Sequence, residues 1–99
     1  MPNLHVNSFR ITKGTFDELL ATLQAPGGLV DILRAAEGFI RYGIVDLGSG
    51  ELTTISVWTS GDAAAAASPL VVDWMRTHLA DRIEGTYMAV GDFALLVEG

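Results

Sequence analysis

The 99-residue sequence contains no cysteine, which excludes disulfides, thiolate metal sites and cysteine nucleophiles. Histidine is nearly as scarce. His5 and His78 are the only two, and neither has a carboxylate pair at helical ligand spacing beside it, so no metal held by protein ligands alone is expected. Positive charge is also sparse: six Lys and Arg against twelve Asp and Glu give a net charge of −6, and the basic residues are scattered along the chain. Such a surface repels phosphate backbones and anionic lipid, so nucleic acid is not an expected partner. No uncharged apolar run approaches the roughly 18 residues of a spanning helix, so no membrane insertion is expected either. The opening Met1-Pro2-Asn3-Leu4-His5 shows no basic run followed by an apolar core. That predicts neither a signal nor a transit peptide and makes the cytoplasm the default location. Ser8, Ser56 and Ser68 lie in no nucleophile elbow.

Apolar residues, by contrast, are abundant. They make up 49% of the sequence, and the mean hydropathy is +0.37. A chain of this length forms a single domain, residues 1–99, and buries only about 60–65% of its unfolded surface on folding. One small monomer cannot hide that much apolar material, so a partner subunit is expected to cover the excess.

The order of elements follows from periodicity and punctuation. Leu4 to Ile11 reads as a strand, closed by the turn Thr12-Lys13-Gly14. Thr15-Phe16-Asp17-Glu18 has the form of a capping box, so a helix starts at Phe16 with Phe16, Leu19, Leu20 and Leu23 on one face. Pro26-Gly27-Gly28 interrupts it, and Leu29 to Ala36 resumes helical spacing until Gly38. Phe39 to Val45 and Leu52 to Thr59 are β-rich runs separated by Asp46 to Glu51, whose two glycines suit a hairpin a little longer than the tightest type, so they pair antiparallel. Ala63 to Ala67 predicts a short helix, and Ser68-Pro69 predicts the start of a second main helix running to about Arg82. Thr86 to Val97 predicts the last strand, with a bulge at Gly91-Asp92.

The order β-α-β-β-α-β is that of an α+β, ferredoxin-like fold, in which helices cover one face of a four-stranded antiparallel sheet. The other face should be polar in a monomer. Here strand two carries Ile40, Tyr42 and Ile44 on one side and Phe39 and Val45 on the other, and strand four carries Met88 and Val90 opposite Tyr87 and Ala89. Two apolar faces need two covers. A second copy is therefore expected to close the sheets into a dimeric α+β barrel.

With Asn7 and Thr12-Lys13-Gly14 in the first strand and its turn, Glu37-Gly38-Phe39 entering the second, Ile55 to Ser60 ending the third, and Trp74 to Asp81 on the second main helix, the chain resembles the antibiotic biosynthesis monooxygenase-like dimeric α+β barrel family over nearly its whole length. The resemblance implies one of two chemistries: cofactor-independent oxygenation of a small phenolic or quinol-type aromatic molecule, or heme binding and degradation. A third group with this fold has no assigned activity, so a non-catalytic binding or structural dimer is also open. On the cofactor-free reading, His78 would be the general base and Asn7 would hydrogen-bond the developing oxyanion. Trp58 and Trp74 would wall the substrate, with Val71, Met75 and Phe9 beside them. On the heme reading His78 would be the ligand, although the match there is offset and Ala63 to Ala67 stands where the heme-degrading branch carries a pocket tryptophan. Independently of the resemblance, His78 falls on the flank of the apolar stripe Val71, Met75 and Leu79 and is expected to point between helix and sheet, and His5, Asn7 and Phe9 share one face of the first strand.

Overall fold

The computed structural model describes residues 1–99. The elements are β1 (Asn3–Ile11), α1 (Phe16–Gln24), α2 (Leu29–Ala35), β2 (Phe39–Gly48), β3 (Glu51–Trp58), α3 (Gly61–His78) and β4 (Ile83–Asp92). The four strands form one sheet in the order β2-β3-β1-β4, antiparallel at every pairing, with the helices on one face. This is the ferredoxin-like architecture expected from the sequence.

Local chemistry explains most of the boundaries. The Glu18 amide donates to the Thr15 hydroxyl at 3.1 Å while the Thr15 amide donates to the Glu18 carboxylate at 3.1 Å, so the capping box starts α1 as expected. Leu19 and Leu23 of α1 and Leu29 and Leu33 of α2 are buried and form the centre of the core with Leu52, Trp58 and Leu79. The β2–β3 hairpin is tighter than the sequence predicts. Both strands continue to the two-residue turn Ser49-Gly50, whose φ values of 55° and 79° are both left-handed. Two consecutive left-handed residues give the twist of a type I′ turn, which lets the ladders extend.

Three expectations about extent are corrected. The Ala63–Ala67 tract and the segment from Pro69 form one helix, α3, capped by Ser60, whose hydroxyl accepts from the Ala63 amide at 3.1 Å. Proline inside a helix removes one amide and frees one carbonyl. Here Ala65 and Pro69 are both exposed, so water can satisfy the freed carbonyl while the alanines carry the helix through. The helix then ends at His78 rather than Arg82. The last strand begins at Ile83 and ends at Asp92, the partner of Asn3 at the start of β1; beyond it a single backbone bond, from the Phe93 amide to the Pro2 carbonyl at 3.0 Å, closes the pairing. The register irregularity of this pair falls between Ser8 and Phe9, opposite Tyr87 and Gly85, and not at Gly91-Asp92.

Gly38 sits where α2 turns into β2, with φ of 81°. A Cβ there would lie 2.6 Å from the Ala63 side chain and 2.6 Å from the Thr59 hydroxyl, so only glycine lets α3 approach this closely.

The sheet face turned away from the helices carries a central apolar row, with Arg41 to one side of it and the hydrogen-bonded hydroxyls of Ser8 and Thr53 to the other. Gly43, Ile55, Val6 and Ala89 form one cross-strand row, flanked by Leu4, Val57 and Val45. No helix covers it, and only 13 of the 99 residues are buried in the single chain. Leu95, Leu96 and Val97, beyond β4, are also exposed. No helix is long and apolar enough to cross a membrane.

Candidate functional site

Side chains alternate along a strand, so β1 sends His5, Asn7 and Phe9 toward the helices and Leu4, Val6 and Ser8 away from them. The ladder registers extend that face into two rows. Tyr42, Ser56, His5 and Val90 form one, and Ile44, Thr54, Asn7 and Met88 form the next. Above them lies a cavity of about 430 Å³, between the sheet and the three helices. Its roof is leucine-rich where α1 and α2 pass over it. Along α3 it is built by Ser68, Val71, Val72, Met75, Arg76 and Leu79, which lie at helical spacing on one face. The lining residues that are themselves exposed, among them Arg76, Ala80, Gly85 and Met88, mark the mouth between α3 and edge strand β4.

The polar groups of the floor divide into those with partners and those without. The Trp58 indole N–H donates to the Ser56 hydroxyl at 2.9 Å, and the Thr54 hydroxyl donates to the Asn7 carbonyl at 3.3 Å. Burial pushes the Tyr42 phenol up to about 12, a rise that contact with the Thr54 hydroxyl only partly offsets. Tyr42 therefore stays a neutral hydrogen-bonding group. None of these bonds engages the Asn7 carboxamide or the His5 imidazole. The two sit two residues apart on one strand, about 7 Å between Cα atoms, so one flat ligand can reach both. No Asp or Glu lines the cavity, although the chain carries twelve.

The structure brings Asn7, Phe9, Trp58, Val71 and Met75 to this cavity, and each had been singled out from the sequence. Trp58 is at the same time fully part of the core, with its ring edge-on to Phe39 at 5.5 Å between centroids. His78 and Trp74 are not in the cavity wall. Both lie on the flank of α3 opposite Arg76, where the exposed His78 ring stacks on Trp74 with centroids 4.9 Å apart. The expectation that the His78 imidazole points between helix and sheet is thus corrected: the apolar stripe of α3 has two flanks, and the one carrying Arg76 faces the cavity. The heme ligand implied by the resemblance therefore does not face this space, and the residues present do not fit a heme held here through His78. No cluster of three metal-ligating side chains is present.

Sequence reasoning missed His5, Tyr42, Ser56 and Arg76 as wall residues. The alternation His5, Asn7, Phe9 was the available signal for the first. The others depend on ladder register and helix rotation, which a single sequence does not display.

A four-stranded antiparallel sheet under three helices, enclosing a mostly apolar cavity with a short polar floor, defines an α+β domain of the ferredoxin-like class. Its fold is that of cofactor-independent oxygenases and antibiotic biosynthesis monooxygenase-like proteins. A mutant form of SnoaB, a cofactor-independent oxygenase from Streptomyces nogalater, matches with a TM-score of 0.79 at 18% identity, covering 99% of this chain and 98% of that one. A putative antibiotic biosynthesis monooxygenase from Chloroflexus aurantiacus matches with a TM-score of 0.73 at 17% identity, over 100% and 98% of the two chains. A dimeric ferredoxin-like protein from an uncultured marine organism matches with a TM-score of 0.78 at 14% identity, over the full length of both. No protein-family model and no curated protein sequence matches the chain.

Proposed function

We propose that this protein is a cofactor-independent monooxygenase-like enzyme that oxidises a small phenolic or quinol-type aromatic molecule, working as a homodimer. The observation that carries the reading is the pair His5 and Asn7, whose side chains the floor's own hydrogen bonds do not engage, in a mostly apolar cavity of about 430 Å³. The shared fold with SnoaB supports it.

An electron-rich phenolate can reduce dioxygen directly, so the protein needs only to deprotonate, orient and desolvate the substrate. His5 accepts the proton of the hydroxyl, and the Asn7 amide donates to the oxyanion left behind. The phenolate passes one electron to dioxygen, and the resulting superoxide and substrate radical combine into a peroxide at a ring carbon. Cleavage of its O–O bond leaves one oxygen atom on carbon as a carbonyl. The other departs as water, taking the two hydrogens the substrate has lost, so no external reductant is consumed. Phe9, Val71 and Met75 hold the ring and keep bulk water out. Trp58 closes one end as a wall fixed by its bond to Ser56.

The dimer rests on the uncovered row Gly43, Ile55, Val6 and Ala89. A second copy laid on this face buries apolar surface that a monomer leaves in water.

The test uses a hydroxyanthrone and isotopically labelled dioxygen, with no added cofactor. One labelled atom should appear in the quinone product and one in water, at a rate above that of the protein-free reaction. A rate equal to the protein-free control contradicts the reading.

A further inference from the structure

The protein carries six basic side chains in an acidic surface of net charge −6. Arg10 pairs with Glu51 at 3.9 Å, Lys13 pairs with Asp81 at 3.7 Å, and the Arg82 guanidinium donates to the Thr22 hydroxyl at 3.1 Å. Arg76 has no such partner, and it alone among the six lines the cavity, where no carboxylate is present. An acidic protein has thus kept every acid out of its main cavity and placed one free guanidinium at the mouth.

We infer that the cavity selects an aromatic substrate bearing a carboxylate, which Arg76 binds at the mouth while the ring to be oxidised lies over His5 and Asn7. The inference deepens the proposed function and rests on it for the reaction, though not for binding. The placement follows from helix geometry. Ser68, Val72 and Arg76 succeed one another at four-residue spacing, so an aromatic body packed on Val72 and Met75 ends beside the guanidinium. The Ser68 hydroxyl and the Arg76 fork then bracket the long edge of the ligand. Arg76 is itself exposed, so a substituent held there stays hydrated on one side and the contact is a modest, specificity-setting one. Guanidinium geometry suits a carboxylate, which offers two acceptors in one plane. The oxyanion of a reacting phenol is a different anion with a different seat. It forms over the half-buried sheet floor, against Asn7, and not at the solvent-facing rim.

The test is binding of three fluorescent probes of one shape: naphthoate, naphthamide and naphthol. The wild-type protein should bind naphthoate about three- to tenfold more tightly than naphthamide at low salt, and the preference should shrink as salt rises. Arg76→Gln should abolish the preference by weakening naphthoate alone, and Arg76→Lys should retain part of it. Loss of naphthol affinity in Arg76→Gln, with the two other probes bound equally, would assign Arg76 to the phenolate and overturn the inference. Equal binding of naphthoate and naphthamide by a wild-type protein that still oxidises a neutral hydroxyanthrone overturns the anion site and leaves the proposed function standing. Failure of every probe to bind overturns both.

Discussion

The His78 imidazole lies against the Trp74 indole, ring centroids 4.9 Å apart and planes tilted by 33°, on the flank of α3 that does not line the cavity. The pair is a neighbouring i, i+4 contact on the helix, and it draws the only helical histidine away from the proposed site. His78→Ala should therefore leave hydroxyanthrone oxidation within about twofold of the wild type. His5→Ala should lower kcat by about 10²–10⁴-fold if it removes the proton acceptor. Steady-state oxygen uptake on the two variants checks the assignment, and the reverse ranking would return the base to α3.

Tyr42 makes stability depend on pH at the alkaline end. Its phenol rises from the ordinary value of 10 to about 12 in the folded chain, so the folded state holds the proton through a range in which the unfolded state has lost it. The contribution is fully present below about pH 10 and disappears as pH climbs to about 12, a loss on the order of 1–3 kcal/mol. Urea midpoints measured across that interval should fall with pH in the wild type. Tyr42→Phe should flatten this part of the slope.

Gly38→Ala should destabilise the fold by roughly 2–5 kcal/mol, the sum of a left-handed backbone penalty and overpacking. The new methyl would meet Ala63 and Thr59 at 2.6 Å, and both belong to the junction that seats α3 on the sheet. Urea titration at fixed protein concentration gives the loss. Ala63→Gly in the same background should recover part of it by removing one of the two colliding groups, whereas no recovery would place the cost in the backbone and the Thr59 contact.

Val6→Asp puts a charge in the middle of the uncovered row between Ile55 and Ala89. By sedimentation equilibrium at micromolar concentration the wild type should show about twice the mass of the 10.5 kDa chain, and the variant should sediment as one copy. A wild-type monomer would contradict the dimer.

The parts of the fold governed by local rules were legible in the sequence. Thr15 and Glu18 announce α1, the Pro26-Gly27-Gly28 break separates it from α2, and the alternation of His5, Asn7 and Phe9 assigns a face to β1. Features set at long range were not. β4 stops at Asp92 because its partner strand begins at Asn3, a fact of pairing rather than of the residues at Phe93 to Val97. The apolar stripe of α3 is visible in Val71, Met75 and Leu79, but its rotation is fixed only when Ala64 and Ala67 pack into the core. That rotation decides that Arg76 meets the cavity and His78 does not. Asn7 was legible because a carboxamide interrupts an apolar strand. His5, on the same face, gains its importance only from register with Ser56 and Val90.

The most direct test of the proposed catalytic floor is the rate of oxygen uptake with a hydroxyanthrone by the wild type and by Asn7→Ala, with probe binding measured on the same preparations. The wild type should exceed the protein-free rate, and Asn7→Ala should lose about 10²–10³-fold in kcat while still binding naphthamide, because the proposed role of its carboxamide is on the oxyanion rather than on the bound ring. An Asn7→Ala enzyme that turns over at the wild-type rate would contradict the account.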